Sequence, residues 1–478
     1  MTFQVFLFLC CILSAIASKA QDFSITYLHF EQYQQALKLE KASRATPPAS
    51  LADAWIQGYQ TTLPLLFFEQ EVLYAGARHR LEELLLFWEN QPKTSPKDLY
   101  VYAELQTQLA LLHFRYRRYW SAAWAFRAAY RNSRRAFYAD STFSGNRKLW
   151  GVLQCVMGAV PSEYQWIASV VGMPGNYASG IKLLRSIPPN DVFYKESLLI
   201  RILLIDLMPE SGYVLNEEEL SRMHLLDDSP LAKLLFIRRA MQSHADSVAM
   251  GVIAQVSEEN FRNTPLFYYL AGELAHRSLD FEGAKAGYKE FLSHCANCDL
   301  SKDAWYKIGL LHWYTQDTAE YLANCAKALE AGHKTVEADR YAQKQAKTPL
   351  PGVIPLLTMG RYSMDGGYYT SADSLYRKAK PLLKANEQLE YMYRIARLLE
   401  LQGRYKEANK AYTDVVASSA TRGTYFGPYA AYRLATWHSE QKNFRSAKEW
   451  IAKAKKFRNY AYEQSLRDKV KKLEQTFP

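Results

Sequence analysis

The sequence predicts an all-α chain, a solenoid of stacked helical hairpins, on three observations. The first is composition: 49% hydrophobic and 22% charged residues, with only 22 Gly and 18 Pro among 478 residues, which is enough apolar material for a large core and too little Gly and Pro for linkers or collagen. The second is that apolar residues recur at helical spacing from end to end. The third is a spaced register that returns five times: a small residue, an aromatic at position +9, Ala at +12 and a bulky residue at +16. With 34 Tyr, 22 Phe and 10 Trp, the aromatic content is high, and the register supplies a packing reason for much of it.

Taken in order, residues 1–20 read as a secretory signal peptide. Residues 5–18 are almost wholly apolar, the length of a signal h-region and short of the roughly 20 residues of a bilayer span. Ser18 and Ala20 put small residues at the −3 and −1 positions, so cleavage is expected before Gln21. The expected location is therefore exported, periplasmic or associated with the cell envelope. Residues 42–50, with Pro47 and Pro48, read as a linker, and residues 53–90 as two long amphipathic helices. Residues 215–236 and 247–260 suggest further, shorter hairpins. Pro349-Leu350-Pro351 interrupts the helical pattern and suggests a hinge. The expected divisions are residues 1–20 (signal), 21–148 (N-terminal hairpins with one repeat), 149–258, 259–348 (repeats) and 352–478 (three tandem repeats and a C-terminal helix).

The five copies are Ala110, Tyr119, Ala122, Phe126; Gly272, Phe281, Ala284, Tyr288; Gly360, Tyr369, Ala372, Tyr376; Ala396, Tyr405, Ala408, Tyr412; and Ala435, Phe444, Ala447, Ile451. The last three are tandem, close to the 34-residue period of tetratricopeptide repeats, so these are tetratricopeptide-like helical hairpins. A degraded copy runs from Trp305 through Gly309 to Ala328, with Tyr321 in place of the small second-helix residue. Small residues at +0 and +12 let two helices approach, the +9 ring opens the second helix and packs back on the first, and +16 lies further along the same face.

Residues 149–184 depart from simple repeats. Leu149-Trp150-Gly151-Val152-Leu153, Val160-Pro161, Gly172-Met173-Pro174-Gly175-Asn176 and Gly180-Ile181-Lys182-Leu183-Leu184 form an ordered set. It resembles the central signature of the tetratricopeptide-repeat family of the yeast inclusion-body clearance protein and its animal relatives, a mitochondrial outer-membrane-protein-like group. Flanks at Ala103-Glu104-Leu105, Ala110-Leu111-Leu112-His113-Phe114, residues 425–435 and residues 454–463 are similar in the same order. Met173 and Tyr177 depart from it, and the apparent export makes this an exported, bacterial-type member. The resemblance implies a non-enzymatic adaptor without catalytic residues. Gly172 and Gly175 suggest a tight turn with φ > 0, and Gly180 a close helix approach.

Searching for chemistry finds no His-Glu-x-x-His, Gly-x-Ser-x-Gly, calcium loop, phosphate loop or kinase set, so no catalytic, metal or cofactor residue is assigned. His113, His312 and His438 sit at first-helix repeat positions, where packing is the default. Cys295 and Cys298 form a lone C-x-x-C; it supplies half the ligands zinc requires and reads as a short-range disulfide or two inert thiols.

The formal net charge of +11 is uneven. Arg115, Arg117, Arg118, Arg127, Arg131, Arg134 and Arg135 crowd one hairpin among Tyr116, Tyr119, Trp120 and Tyr130, and Lys448, Lys453, Lys455, Lys456, Arg458, Lys469, Lys471 and Lys472 crowd the C-terminal helices. Arg115, Arg117, Arg118, Arg127, Arg131 and Arg134 are the candidate partner-binding residues. The expected partner is an unknown, acidic protein; an anionic lipid surface is the second candidate, and export argues against nucleic acid. The expected function is a protein-interaction scaffold binding a partner in the concave face of the solenoid. The alternative is a lipid- or glycan-handling protein with an aromatic-lined groove.

Overall fold

The computed structural model describes residues 47–67, 71–91, 95–158, 174–191, 193–207, 222, 226, 230–334, 336–347, 354–420, 423–474 and 476–477. The signal peptide, most of the expected linker, Val160-Pro161, Gly172-Met173, residues 215–221 and the Pro349–Pro351 break lie outside them. Among the described residues there are 22 α-helices and no strand.

The N-terminal block comprises α1 (Leu51–Phe67), α2 (Glu71–Glu89), α3 (Pro96–Arg115) and α4 (Tyr119–Ala139). Next come α5 (Ser144–Gly158), α6 (Tyr177–Arg185), α7 (Tyr194–Leu207), α8 (Pro230–Gln242), α9 (Asp246–Ile253) and α10 (Glu258–Asn263). Two hairpins follow, α11 (Leu266–Ser278) with α12 (Phe281–His294) and α13 (Ser301–Tyr314) with α14 (Thr318–Glu330), then a single helix α15 (Glu337–Gln345). The C-terminal hairpins are α16 (Pro355–Asp365) with α17 (Tyr369–Ala379), α18 (Gln388–Leu401) with α19 (Tyr405–Ser418), and α20 (Phe426–Glu440) with α21 (Phe444–Ala454), closed by α22 (Glu463–Glu474).

Each copy of the register is a helical hairpin, and the degraded copy is another, α13 with α14. The five +9 rings are the first residues of α4, α12, α17, α19 and α21. They are not the deepest rings: Tyr405 is 53% exposed, whereas Tyr288 and Tyr376 at +16 are fully buried and Tyr412 is 1% exposed. Two turns into the second helix, +16 faces the close approach to the first helix, while +9 sits at the open end.

The turns share one geometry that the residue types conceal. Position +7 is left-handed in all six hairpins: Arg117, Leu279, Gln316, Gly367, Gly403 and Lys442, with φ between 58° and 83°. In each, the N–H of +8 donates to the carbonyl of +3, as Arg118 to His113 (2.8 Å), Asp280 to Ala275 (2.9 Å) and Asn443 to His438 (2.9 Å). This Schellman closure satisfies the terminal carbonyls of the first helix. Glycine, the residue that adopts this conformation without strain, holds +7 only in the turns ending α16 and α18.

In the 149–184 region, α5 and α6 pack face to face as the sequence suggests, and a Cβ on Gly180 would lie 2.5 Å from the Gly151 carbonyl oxygen. Gly175 is required for space, not for φ > 0: its backbone is not left-handed, and a Cβ there would lie 2.3 Å from the Gly158 nitrogen.

Beyond the undescribed residues 348–353, α16 packs back against α11 and α13. The first helix of the tandem set thereby covers a face of the middle hairpins that a uniform stack would leave open. His276 of α11 anchors this seam: its ring stacks on Tyr362 at 3.9 Å, and its nitrogens lie 3.2 Å from the Tyr288 hydroxyl and 3.1 Å from the Tyr314 hydroxyl. Alongside it, Arg277 pairs with Asp246 at 3.2 Å, and the Asp246 N–H donates to the Gly366 carbonyl.

Burial holds His276 neutral, with its pKa pushed down to about 3. A folded-state pKa below the unfolded value of about 6.5 means the unfolded chain takes up the proton first, so stability falls as pH drops from about 6.5 toward 3. Urea unfolding of His276→Gln across that window is expected to show an acid limb shallower by up to about 1.4 kcal/mol per pH unit. Identical slopes in the two proteins would show that the imidazole does not set the acid limb.

Candidate basic-aromatic docking face

The arginine-rich hairpin is α3 and α4. At the start of α3, the Ser95 hydroxyl accepts from the Lys97 N–H, the Asp98 carboxylate accepts from the Ser95 N–H, and Pro96 takes the first helical position. The Arg117 turn reverses the chain into the alanine-rich α4, whose buried side is Ala122, Ala123, Ala129, Tyr130, Ser133 and Ala136. Small residues on that side let α4 lie close to α3 and α5.

The opposite side carries Trp124, Arg127, Arg131, Arg134 and Tyr138, spaced by three or four residues and so aligned along one helical stripe. Trp124 is 56% and Tyr138 71% exposed. The Arg127 guanidinium lies 5.6 Å from the Trp124 ring centre and that of Arg134 lies 5.7 Å from the Tyr138 ring centre. Such contacts orient a guanidinium without neutralising it. No acidic residue occurs in α4, and among the described residues no carboxylate is within ion-pair distance of Arg127, Arg131, Arg134 or Arg135. Asp140, just beyond the helix, is turned away: its carboxylate accepts from the Thr142 hydroxyl (2.6 Å) and the N–H groups of Thr142 and Phe143, which hold its pKa below the ordinary value.

The six candidate arginines have different fates. Arg115 is 2% exposed and pairs with buried Asp299 at 3.1 Å, so its charge is matched inside the fold. Beside that pair, Phe114, Ala122 and Val336 form a small apolar cluster with Leu300. Arg117 holds the left-handed turn position, and the Arg118 guanidinium lies 5.7 Å from the Tyr74 ring centre. Arg131 and Arg134 are exposed, with exposed Arg135 beside the stripe, whereas Arg127 is half-buried with its Nε inside.

The second basic region is matched in part. Lys455 pairs with Glu474 at 2.6 Å, Arg467 with Glu463, and Arg458 donates to the Phe457 carbonyl at 2.7 Å. Lys453 lies 3.8 Å from the Trp450 ring centre. A cleft of about 380 Å³ there is edged by Lys455, Arg458, Arg467 and Lys471, with Glu474 among them. Paired cations attract an acidic ligand less strongly than unpaired ones, and α4 carries no acidic residue of its own.

Cys295 and Cys298 are bonded in the turn between α12 and α13, with Cα atoms 5.4 Å apart. Asn297 within that loop accepts from the Gly332 N–H at 3.2 Å, tying it to the end of α14. Cys155 and Cys325 are buried free thiols, and burial pushes Cys155 up to about 12, where it is inert. His113 is held by the Tyr74 hydroxyl at 2.8 Å, and burial pushes it down to about 4. Among the described residues no group of three or more His, Cys, Asp or Glu side chains is arranged to hold a metal ion, and no helix is long and apolar enough to cross a membrane.

No protein-family model matches the chain, and no curated protein matches it. Solved structures align over nearly its whole length with low superposition scores. The P58(IPK) TPR domain shares 15% identity over 93% of this chain and 97% of that one, with a TM-score of 0.23. The APC/C hetero-tetramer Cut9-Hcn1 shares 10% identity over 94% and 97%, with a TM-score of 0.26. The human IFIT1 dimer with PPP-AAAA shares 13% identity over 95% and 99%, with a TM-score of 0.26. The assignment of this chain as an all-α helical-repeat fold rests on its own hairpins, their shared register and their common turn geometry.

Proposed function

We propose that this chain is a non-enzymatic protein-interaction scaffold that docks an acidic segment of a protein partner along the outer face of α4. One observation carries the reading: exposed Arg131 and Arg134 and half-buried Arg127 lie on one stripe with exposed Trp124 and Tyr138, and no described carboxylate neutralises it. Unmatched guanidinium groups draw in an acidic chain, and the two rings supply apolar contact once it has arrived. The concave face takes second place, because α16 already covers part of the inner helices. The adaptor role implied by the resemblance of residues 149–184 points the same way.

The test uses a fluorescent Glu/Tyr-rich peptide as probe. Arg127→Glu/Arg131→Glu/Arg134→Glu is expected to weaken binding by about tenfold or more, with wild-type affinity falling as salt rises and the helical spectrum unchanged. Equal affinity in the variant sinks the reading. Binding to phosphatidylserine vesicles with none to the peptide replaces the protein partner with a lipid surface.

We also place the protein outside the cytosol, on the apolar run at residues 5–18 with its small-residue cleavage pattern and on the Cys295–Cys298 bond, which suits an oxidising compartment. N-terminal sequencing of the mature protein is expected to begin at Gln21; a start at Met1 removes this placement.

A further inference from the structure

The docking stripe ends in a feature that side-chain spacing alone does not reveal. Where α4 finishes, the surface opens into a cleft of about 700 Å³ edged by Tyr130, Arg131, Arg134, Arg135, Tyr138 and Pro174. Three guanidinium groups border one volume, and no described carboxylate relieves their mutual repulsion. A cluster of like charges facing one space is stabilised by an anion there.

The walls are built from fixed parts. The Tyr130 hydroxyl donates to the Pro174 carbonyl at 2.5 Å and accepts from Gln154 Nε2 at 3.2 Å, while Gln154 Oε1 accepts from the Asn176 N–H at 3.1 Å. These bonds tie α4, α5 and the start of α6 into one rim. Arg135 Nη1 donates to Asn132 Oδ1 at 3.5 Å, and Asn132 Nδ2 donates to Gln106 Oε1 of α3 at 2.9 Å. Arg134 is oriented by the Tyr138 ring. Arginines held before a ligand arrives lose less side-chain entropy on binding it.

The number of forks selects the anion. A carboxylate has two oxygens and one charge, which one guanidinium can satisfy. A phosphate monoester presents three terminal oxygens and nearly two charges at neutral pH, which suits several guanidinium groups at once. The volume exceeds that of a phosphate group, leaving room beside the exposed Tyr138 ring for the side chain that carries it. We infer that the cleft edged by Arg131, Arg134 and Arg135 is a phosphoryl-binding subsite, taking a phosphate monoester carried by the segment that docks along α4. The inference rests on the docking role proposed for that helix.

The experiment compares the Glu/Tyr-rich peptide with the same peptide carrying one phosphotyrosine, and with inorganic phosphate alone. The phosphorylated peptide is expected to bind about tenfold tighter, a difference of about 1.4 kcal/mol. Arg135→Gln removes one charge beside the stripe, so it is expected to abolish most of the tenfold gain while weakening the unphosphorylated peptide by less than about twofold. The gain is also expected to shrink below pH about 6, where the monoester takes up its second proton. Equal affinity for the two peptides overturns the subsite and leaves the docking face standing. Failure of both peptides to bind overturns the docking face and the subsite together. Phosphate alone competing as well as the phosphopeptide would show a free-anion site and overturn its assignment to the docked segment.

Discussion

Lys148→Met is expected to destabilise the N-terminal half of the molecule by about 3–5 kcal/mol, the cost of breaking a buried ion pair from one side. Lys148 is fully buried, with Nζ 2.9 Å from Glu104 Oε1 and 3.0 Å from Glu196 Oε1. The rings of Phe193, Tyr100 and Trp55 surround it at 5.2, 5.6 and 5.9 Å. Burial alone pulls its pKa down, but Glu104 and Glu196 outweigh burial and raise it, so the lysine stays charged. The three charges lie on α3, α5 and α7, and Trp55 adds α1, so this one contact joins four helices. Methionine preserves most of the volume and removes the cation that Glu104 and Glu196 share. Lys148→Met/Glu104→Gln/Glu196→Gln is expected to recover much of the loss, because it removes the charges together. Urea denaturation followed by circular dichroism measures both. A single variant within about 1 kcal/mol of wild type would show that water reaches the carboxylates.

The second large effect lies in the α11–α12 hairpin. A Cβ on Gly287 would lie 2.6 Å from the Gly272 nitrogen, 2.8 Å from its Cα and 2.9 Å from the Tyr268 carbonyl oxygen. All three are backbone atoms of the facing helix, so no side-chain rotation relieves the overlap and the helices must separate. Gly287→Ala is expected to cost about 1–3 kcal/mol, and Gly287→Val more, since overpacking at a helix crossing shifts whole elements. Gly76 in α2 and Gly251 in α9 are the controls: a Cβ on either meets nothing within 4 Å. Alanine there is expected to be neutral or stabilising by up to about 1 kcal/mol through helix propensity. If Gly287→Ala behaved like these controls, close backbone approach would not be what holds the hairpin.

The contrast between Gly287 and Gly272 shows how far local reading reaches. Gly272 falls at +0 of the register and is legible from spacing alone, whereas Gly287 lies at +15, outside the pattern, and its importance appears only when α12 is laid against α11. The turns behave similarly. Gly367 and Gly403 signal reversals by residue type, but Leu279, Gln316 and Lys442 adopt the same left-handed conformation with no glycine to announce it. There the packing of two helices imposes the turn against local preference.

The candidate site divides on the same principle. The concentration of arginine between Arg115 and Arg135 is plain in the sequence, and helical periodicity places Arg127, Arg131 and Arg134 on one stripe. Periodicity does not say that Arg115 is buried, because its partner Asp299 is 184 residues away. Nor does it say that, near the C-terminus, Glu474 pairs with Lys455 and Glu463 with Arg467.

The sequence by itself determined the all-α class, the helical hairpins and their register, because small and bulky residues spaced along two neighbouring helices act over one turn of chain. Tertiary structure alone decided which charges lie inside, as at Lys148, where the carboxylates come from residues 44 and 48 positions away. It also decided that α16 folds back on α11 and α13, and that three arginines meet around one cleft at the end of α4. Each of these depends on bringing distant segments to within a few ångströms, and the pairing of distant segments is not written in the spacing of near ones.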